Sequence, residues 1–226
     1  MIVFYSTIGI PAIIATFASQ IIFEGAAYLI SGGIPIYGFD ERFKVIGQGF
    51  IGPVPVPVII MIICFGIGSF ILNKSYFGRN FYAVGGNEKA AKLSGIQVGR
   101  IKYMIYSLSG FFAGLAGIVM LSRTNSAQPT AGSGYEFDVI TCVVLGGVSV
   151  AGGHGFMSNV VAGVMIIGCL TNGMILMNVS SYTQMIIKGL VLLFAVGFDC
   201  LQKRKTIWDR SFATAPGRAP AERWTD

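Results

Sequence analysis

Residues 73–102 read NKSYFGRNFYAVGGNEKAAKLSGIQVGRIK and interrupt an otherwise apolar chain. This segment carries six of the 16 Lys and Arg residues and a single acid, Glu88. Apolar stretches long enough to cross a bilayer lie on both sides of it. A basic loop between two membrane spans is placed on the cytoplasmic side by the positive-inside rule. The segment therefore predicts a membrane protein that exposes a basic loop to the cytoplasm.

The composition agrees with a membrane protein. Hydrophobic residues make up 54% of the chain and charged residues 12%, whereas a soluble domain has about 25% charged residues. The net charge of +6 comes from basic residues that lie between and after apolar stretches, which argues against nucleic-acid binding. The four cysteines lie within or at the ends of apolar segments and lack metal-ligand spacing. We therefore predict neither a metal site nor a cofactor.

Six apolar segments are candidate membrane spans, because about 20 helical residues cross a bilayer. They are residues 12–30, 54–72, 103–121, 137–151, 156–178 and 183–201. The fourth is short and contains glycine, so we predict that it is tilted, broken or re-entrant. The predicted fold class is an all-α polytopic membrane protein with a transmembrane domain over residues 1–201. Residues 202–226 are basic and rich in Ala, Pro and Arg, and we predict a disordered tail there.

The distribution of basic residues predicts the orientation. Residues 73–102 and 202–226 hold twelve of the 16 Lys and Arg residues, and residues 31–53 and 122–136 hold three. Six crossings then place both termini in the cytoplasm.

Sequence motifs for catalysis are missing from the chain. There is no phosphate-binding loop and no nucleophile elbow. The single histidine, His154, lies among glycines between the fourth and fifth spans and has no carboxylate or cysteine cluster beside it in the sequence. We therefore predict that the chain is not an enzyme.

A short helix is predicted inside the basic loop. Asn87 is a candidate N-cap, residues 88–94 are compatible with a helix, and Gly95 occupies the position that follows a helix end. A rigid helix displayed to the cytoplasm is suited to contact a soluble partner. The compact apolar side chains of Ala90, Ala91 and Leu93 suit close contact with such a partner.

Two ionisable residues lie inside predicted spans, where charge is costly. Glu24 is about 9 Å from the outer end of the first span and Lys188 about 7.5 Å from the outer end of the sixth, at 1.5 Å rise per residue. Similar depth and opposite sign predict an intramembrane pair. The alternative is that each side chain reaches the outer interface by itself.

Four stretches occur in the order typical of one protein family. They are FGRNFYAVGGNEKAAKLSGI at 77–96, SAQPTAGSGYE at 126–136, VLGGVSVAGG at 144–153 and VSSYTQM at 179–185. The chain resembles, from about residue 10 to 201, the bacterial ABC-importer permeases for ribose and related monosaccharides.

The resemblance implies a translocating subunit in the bacterial inner membrane. Its implied partners are an ABC ATP-binding subunit, a periplasmic sugar-binding protein and a second permease subunit, with ATP hydrolysis in the partner. The short cytoplasmic helix would dock in a cleft of the ATP-binding subunit. The residues implied in this coupling are Gly85, Gly86, Asn87, Glu88, Ala90, Ala91, Leu93, Ser94 and Gly95.

The sugar path is predicted from hydrogen-bonding side chains, because a monosaccharide is neutral and rich in hydroxyl groups. The candidates are Asn125, Ser126, Gln128, Thr171, Asn172 and Gln184. The alternative is that these polar groups bond between helices.

Two other functions stay open at this point. Members of the resembled family have about ten spans, so about four N-terminal spans are expected to be missing. The chain is then a fragment, a truncated reading frame or one half of a split permease. A truncated remnant or scaffold that does not transport is one alternative. An ion-coupled secondary transporter is another, although it would need acids at the membrane midplane and inverted repeats.

Overall fold

The computed structural model describes residues 11–213, without the side chains of Ala12 and of residues 202–213. The regular secondary structure of the described chain is helical apart from two pairs of two-residue strands. The elements in order are α1 (Ala12–Ser31), β1 (Ile36–Tyr37), α2 (Glu41–Gln48), β2 (Phe50–Ile51), β3 (Val54–Pro55), α3 (Val56–Lys74), α4 (Tyr76–Gly86), α5 (Glu88–Leu93), α6 (Val98–Thr124), β4 (Ser126–Ala127), α7 (Tyr135–Leu145), α8 (Met157–Leu176) and α9 (Ser181–Ala213).

Five helices of the described chain are long and apolar enough to cross a membrane. Their spanning parts are Ile13–Ser31, Val56–Lys74, Val98–Thr124, Met157–Leu176 and Ser181–Leu201. They correspond to five of the six predicted spans, and the predicted fold class of an all-α polytopic membrane protein is confirmed.

The fourth predicted span contains a helix of half the usual length. Helix α7 has 11 residues, which at 1.5 Å rise is about 16 Å, against a hydrocarbon core of about 30 Å. It stops because Gly147, at φ 78°, closes its C-terminus. The amide of Val148 donates to the carbonyl of Val143, and that of Gly147 to the carbonyl of Val144. This is a Schellman motif, which uses glycine because the left-handed conformation is strained for other residues.

The last helix extends beyond the predicted sixth span. Helix α9 continues through Ala213, so residues 202–213 are helical although the sequence predicts that the disordered tail starts at 202. Residues 214–226 lie outside the described residues, and disorder there stays a prediction.

The chain divides into two compact units, which are described separately. The described part of the first unit comprises residues 11–135 and 151–157, and that of the second comprises residues 136–150 and 158–213. The first unit therefore takes up a seven-residue segment whose neighbours on both sides in the chain belong to the second unit.

In the first unit, the connection between α1 and α3 packs on the end of α6. Ser122 of α6 is fully buried. Its hydroxyl donates to the Phe43 carbonyl at 2.6 Å and accepts from the Gly47 amide at 2.8 Å. Strand β1 also pairs with β4, with Ile36 opposite Ala127. Residues 31–53 and 122–136 therefore meet on one side of this unit.

In the second unit, α7 and α8 approach each other closely at glycine. A Cβ on Gly163 of α8 would lie within 2.0 Å of the Cys142 carbonyl oxygen of α7. A Cβ on Gly146 would lie 2.6 Å from the Asn159 carbonyl oxygen. Only glycine fits at these positions, because real Cβ atoms do not approach backbone so closely.

Candidate functional site

The predicted cytoplasmic helix is present as α5, and its ends are determined by local capping. Asn87 ends α4 and begins α5: its amide donates to the Ala83 carbonyl, and its Oδ1 accepts from the Ala90 amide at 3.0 Å. At the other end Gly95 has φ 81°. The amide of Ile96 donates to the carbonyl of Ala91, as in a Schellman motif. The N-cap and the terminal glycine are both where the sequence predicts them.

A helix of six residues is too short to be stable alone, and its neighbours hold it. Ala91 of α5 is buried together with Val84 of α4 and Ile101 of α6. The partly buried side chains of Phe81, Ile96 and Val98 pack around these three residues.

An ion pair adds to this support. Lys102 Nζ lies 2.7 Å from Glu88 Oε2, which joins the start of α5 to α6. Helices α4, α5 and the start of α6 therefore form one packed element. We call residues 76–102 the coupling element.

Two apolar side chains of α5, those of Ala91 and Leu93, point in different directions. Ala91 is 4% exposed and Leu93 is 90% exposed. The sequence predicts that Ala91 belongs to the contact face with Ala90 and Leu93, and this assignment needs correction. Ala91 faces the inside of the coupling element, because its methyl group fills the space between Val84 and Ile101.

The exposed surface of α5 consists of a leucine among polar and basic side chains. Leu93 and Ala90 are exposed, and so are Lys89, Lys92 and Ser94. An isolated exposed leucine needs no explanation on a soluble protein. Here it projects from a capped helix with a rim of two cations, which suits an apolar pocket bordered by acidic groups.

The two glycines before α5 contact another part of the chain. Gly85 and Gly86 form the end of α4 and approach the backbone of Gly152 and Gly153. The first pair lies in the motif at 77–96, and the second pair lies in the motif at 144–153. The sequence predicts a role for the first pair only, and no sequence pattern indicates that the two pairs meet.

Two of the three predicted sugar-path residues of the first unit line a cavity of about 510 Å³. Helices α1 and α6 and residues 126–131 line it, and most of the lining is aliphatic. Its polar side chains are Ser31, Thr124, Ser126 and Gln128. Asn125 follows α6 at φ 51°, and its Oδ1 is buried with no hydrogen-bond partner within the described chain. Two predicted path residues, Ser126 and Gln128, are therefore brought together.

The predicted sugar-path residues of the second unit lie on α8 and α9. Thr171 is partly buried and Asn172 exposed on α8. Gln184 of α9 donates from Nε2 to the Val179 carbonyl at 2.9 Å, so this amide is used locally in the connection between the two helices. This bond is local to the connection, so it is not the bond between helices that the alternative predicts.

The intramembrane lysine has a partner that the sequence does not predict. Lys188 Nζ lies 2.6 Å from Asp138 Oδ2. Asp138 is the fourth residue of α7, and both residues belong to the second unit. The sequence predicts Glu24 as the partner, but Lys188 already has a carboxylate. The reason for pairing Lys188 with Glu24 is thereby removed.

Within residues 11–213, no group of three or more His, Cys, Asp or Glu residues could hold a metal ion. The described residues present a displayed helix, an apolar cavity and an ion pair between α7 and α9.

Comparison with known proteins identifies several relatives. The profile of the family described as "Branched-chain amino acid transport system / permease component" matches residues 3–196. The ribose import permease protein RbsC of Bacillus subtilis (strain 168) is 48% identical over 188 residues, which are 82% of this chain and 58% of that protein.

Two further relatives come from Escherichia coli (strain K12). The L-arabinose transport system permease protein AraH is 45% identical over 190 residues, covering 84% of this chain and 58% of the relative. The ribose import permease protein RbsC is 46% identical over 194 residues, covering 84% and 60%. The chain thus spans 58% to 60% of the length of these three relatives. No solved structure matches the chain significantly.

Proposed function

The chain belongs to the family of branched-chain amino acid transport system permease components, and we propose that it is a membrane-spanning subunit of an ATP-driven importer for a monosaccharide. The relatives named above are permeases for ribose and L-arabinose, so an aldopentose is the proposed substrate class. The observation that carries the proposal is α5, a capped helix whose Leu93 is 90% exposed. A packed element that displays one leucine in this way is suited to dock into another protein.

In this proposal, α5 enters a cleft of an ABC ATP-binding subunit, which hydrolyses the ATP. Leu93 fills an apolar pocket, and Lys89 and Lys92 meet acidic groups at its rim. The core around Ala91 and the pair of Lys102 with Glu88 join α5 to α6. Closure of the ATP-binding subunits would therefore move α6 together with α5.

The proposed orientation places the coupling element in the cytoplasm of a bacterial inner-membrane protein. In this proposal both termini share that side, because the segment that contains α7 completes a sixth crossing in addition to the five span-length helices. Contacts within the first unit support it. Residues 31–53 and 122–136 are both predicted outside, and β1 pairs with β4 between them. Residues 73–102 are predicted inside, and so is the short loop 152–155 between the fourth and fifth predicted spans. Tyr82 donates to the Gly155 carbonyl in that loop. Loops predicted on the same side are thus in contact.

The remaining proposed partners follow from the transport cycle. A periplasmic sugar-binding protein would deliver the sugar to the outer side, and a second permease subunit would complete the path. The cavity with Ser126 and Gln128 is on the side proposed to face the periplasm. It offers hydroxyl and amide groups to a neutral sugar.

The test is a charge placed at Leu93. In the complete transporter that contains this chain, Leu93→Glu should weaken co-purification of the ATP-binding subunit by about 30-fold or more, as expected for a central interface residue. It should also abolish ATP hydrolysis stimulated by ribose or L-arabinose. Gln97→Glu is the matched control, because it adds the same charge to an exposed position of the same loop.

Two results would contradict the proposal. One is full retention of the ATP-binding subunit by Leu93→Glu. The other is ATP hydrolysis by the unaltered transporter that no monosaccharide stimulates. This result would favour the alternative of a scaffold that does not transport. A charge at Ala91 is unsuitable for this test. Ala91 is buried, so Ala91→Arg would disrupt the coupling element itself.

A further inference from the structure

Three backbone contacts join the coupling element to residues 151–157, which we call the connector. A Cβ on Gly85 would lie 2.9 Å from the Gly153 nitrogen, and a Cβ on Gly152 would lie 2.7 Å from the Gly85 carbonyl oxygen. A Cβ on Gly153 would lie 2.5 Å from the Gly86 Cα. The two backbones therefore touch directly, and no side chain fits between them.

A side-chain hydrogen bond lies beside these contacts. Tyr82 Oη, one turn before Gly86, donates to the Gly155 carbonyl at 2.8 Å, and the bond is partly buried. Gly152 and Gly153 have φ values of 86° and 77°, which side chains other than glycine rarely adopt. The connector thus has a defined conformation where it meets α4.

The position of the connector in the chain indicates which helices these contacts can move. The connector packs in the first unit, but the residues before it belong to α7 and its following loop, and those after it belong to α8. The connector ends at Met157, the first residue of α8, and residues 146–150 join it to α7, so the peptide chain links a displacement of the connector to both helices. Its hold on the first unit depends on α4, which shares Asn87 with α5 as a common cap.

We propose that Tyr82 and the glycine contacts form a clasp by which the coupling element moves the connector and, with it, α7 and α8. This inference rests on the proposed function. It adds a positioning role for residues that do not touch the ATP-binding subunit or the sugar. Docking on α5 and transmission through the clasp are then separate steps that different substitutions interrupt.

The test uses two substitutions in the complete transporter, reconstituted in liposomes with radiolabelled ribose and L-arabinose as probes. Gly85→Ala adds a methyl group inside the contact, and Gly110→Ala on α6 is its control, because a Cβ there has no neighbouring atom within 4 Å. Tyr82→Phe removes only the hydroxyl, and Tyr103→Phe, at an exposed tyrosine of α6, is its control.

Both clasp variants should retain the ATP-binding subunit, since the α5 surface is unaltered. Tyr82→Phe should lower the sugar transported per ATP by about twofold to tenfold, the range that one neutral hydrogen bond supports. Gly85→Ala should lower it further. Amide hydrogen exchange in residues 151–157 should rise in both variants and stay unchanged in both controls.

If both clasp variants transport as much sugar per ATP hydrolysed as the unaltered protein, the proposed function is not affected and the clasp is refuted. Loss of the ATP-binding subunit with unchanged exchange in residues 151–157 would also overturn it, because these residues would then act in docking. If Gly85→Ala does not reach the membrane, Tyr82→Phe decides. An unaltered transporter that binds no ATP-binding subunit would refute the proposed function and the clasp with it.

Discussion

The pair of Asp138 and Lys188 provides a stability test of the second unit. The two side chains are 30% and 24% exposed, and the atoms Oδ2 and Nζ are 2.6 Å apart. At an effective dielectric constant near 20, this separation corresponds to a Coulomb attraction of about 6 kcal/mol. Much of that attraction is offset by the cost of removing both ions from water. The net stabilisation is therefore small, whereas a single unpaired ion is costly.

Substitution of either residue alone should therefore be more harmful than substitution of both. Lys188→Met leaves the Asp138 carboxylate without its cation. Breaking a fully buried pair costs about 3–5 kcal/mol, and partial exposure reduces this to about 2–3 kcal/mol here. The double variant Asp138→Asn/Lys188→Met should lose only about 1 kcal/mol, because no unpaired charge remains.

The assay is equilibrium unfolding in mixed micelles at one pH, analysed as a double-mutant cycle. A second cycle with Glu24→Gln and Lys188→Met serves as the control, since the sequence predicts Glu24 as the partner. We expect coupling in the cycle with Asp138 and additivity in the cycle with Glu24. The reverse pattern would refute the assignment of Asp138.

Two further predictions concern the first unit. Ser122→Ala should lower the free energy of unfolding by about 2 kcal/mol, because it leaves the buried Gly47 amide without its acceptor. Ser19→Ala should have little effect, since the Ser19 hydroxyl only adds a second bond to a carbonyl of its own helix; equal losses in unfolding titrations would contradict this reasoning. For the orientation, an impermeant thiol reagent should label a cysteine at position 128 but not at 89 in intact cells, and labelling at 89 would reverse the proposed topology.

The sequence is sufficient to predict the elements that local chemistry determines. Span-length helices follow from hydrophobic composition alone. The ends of α5 follow from Asn87 and Gly95, because capping depends on residues within a few positions of the helix end. The half-length α7 is foreseeable for the same reason, since glycines interrupt its apolar segment.

Features that depend on distant contacts are not predictable in this way. A helix of six residues is too short for the spacing of its apolar residues to show which side is buried. The direction of the Ala91 side chain follows only from its packing with Val84 and Ile101. In the sequence, Asp138 is an acid at the start of a predicted span. Its contact with Lys188 depends on how α9 packs on α7 and cannot be inferred from nearby residues. Helix α4 contains three glycines and therefore resembles a loop in sequence, although it is helical through Gly86.

The separation of Ala91 from Leu93 has a consequence for how such a subunit can change over evolutionary time. The residues that hold α5 in place face inward, and those that a partner would meet face outward. Substitutions at Lys89, Lys92 and Leu93 can therefore alter the choice of partner without loosening the helix. A gene duplication could thus produce a subunit with a new partner through a few surface replacements, while the membrane helices remain unchanged.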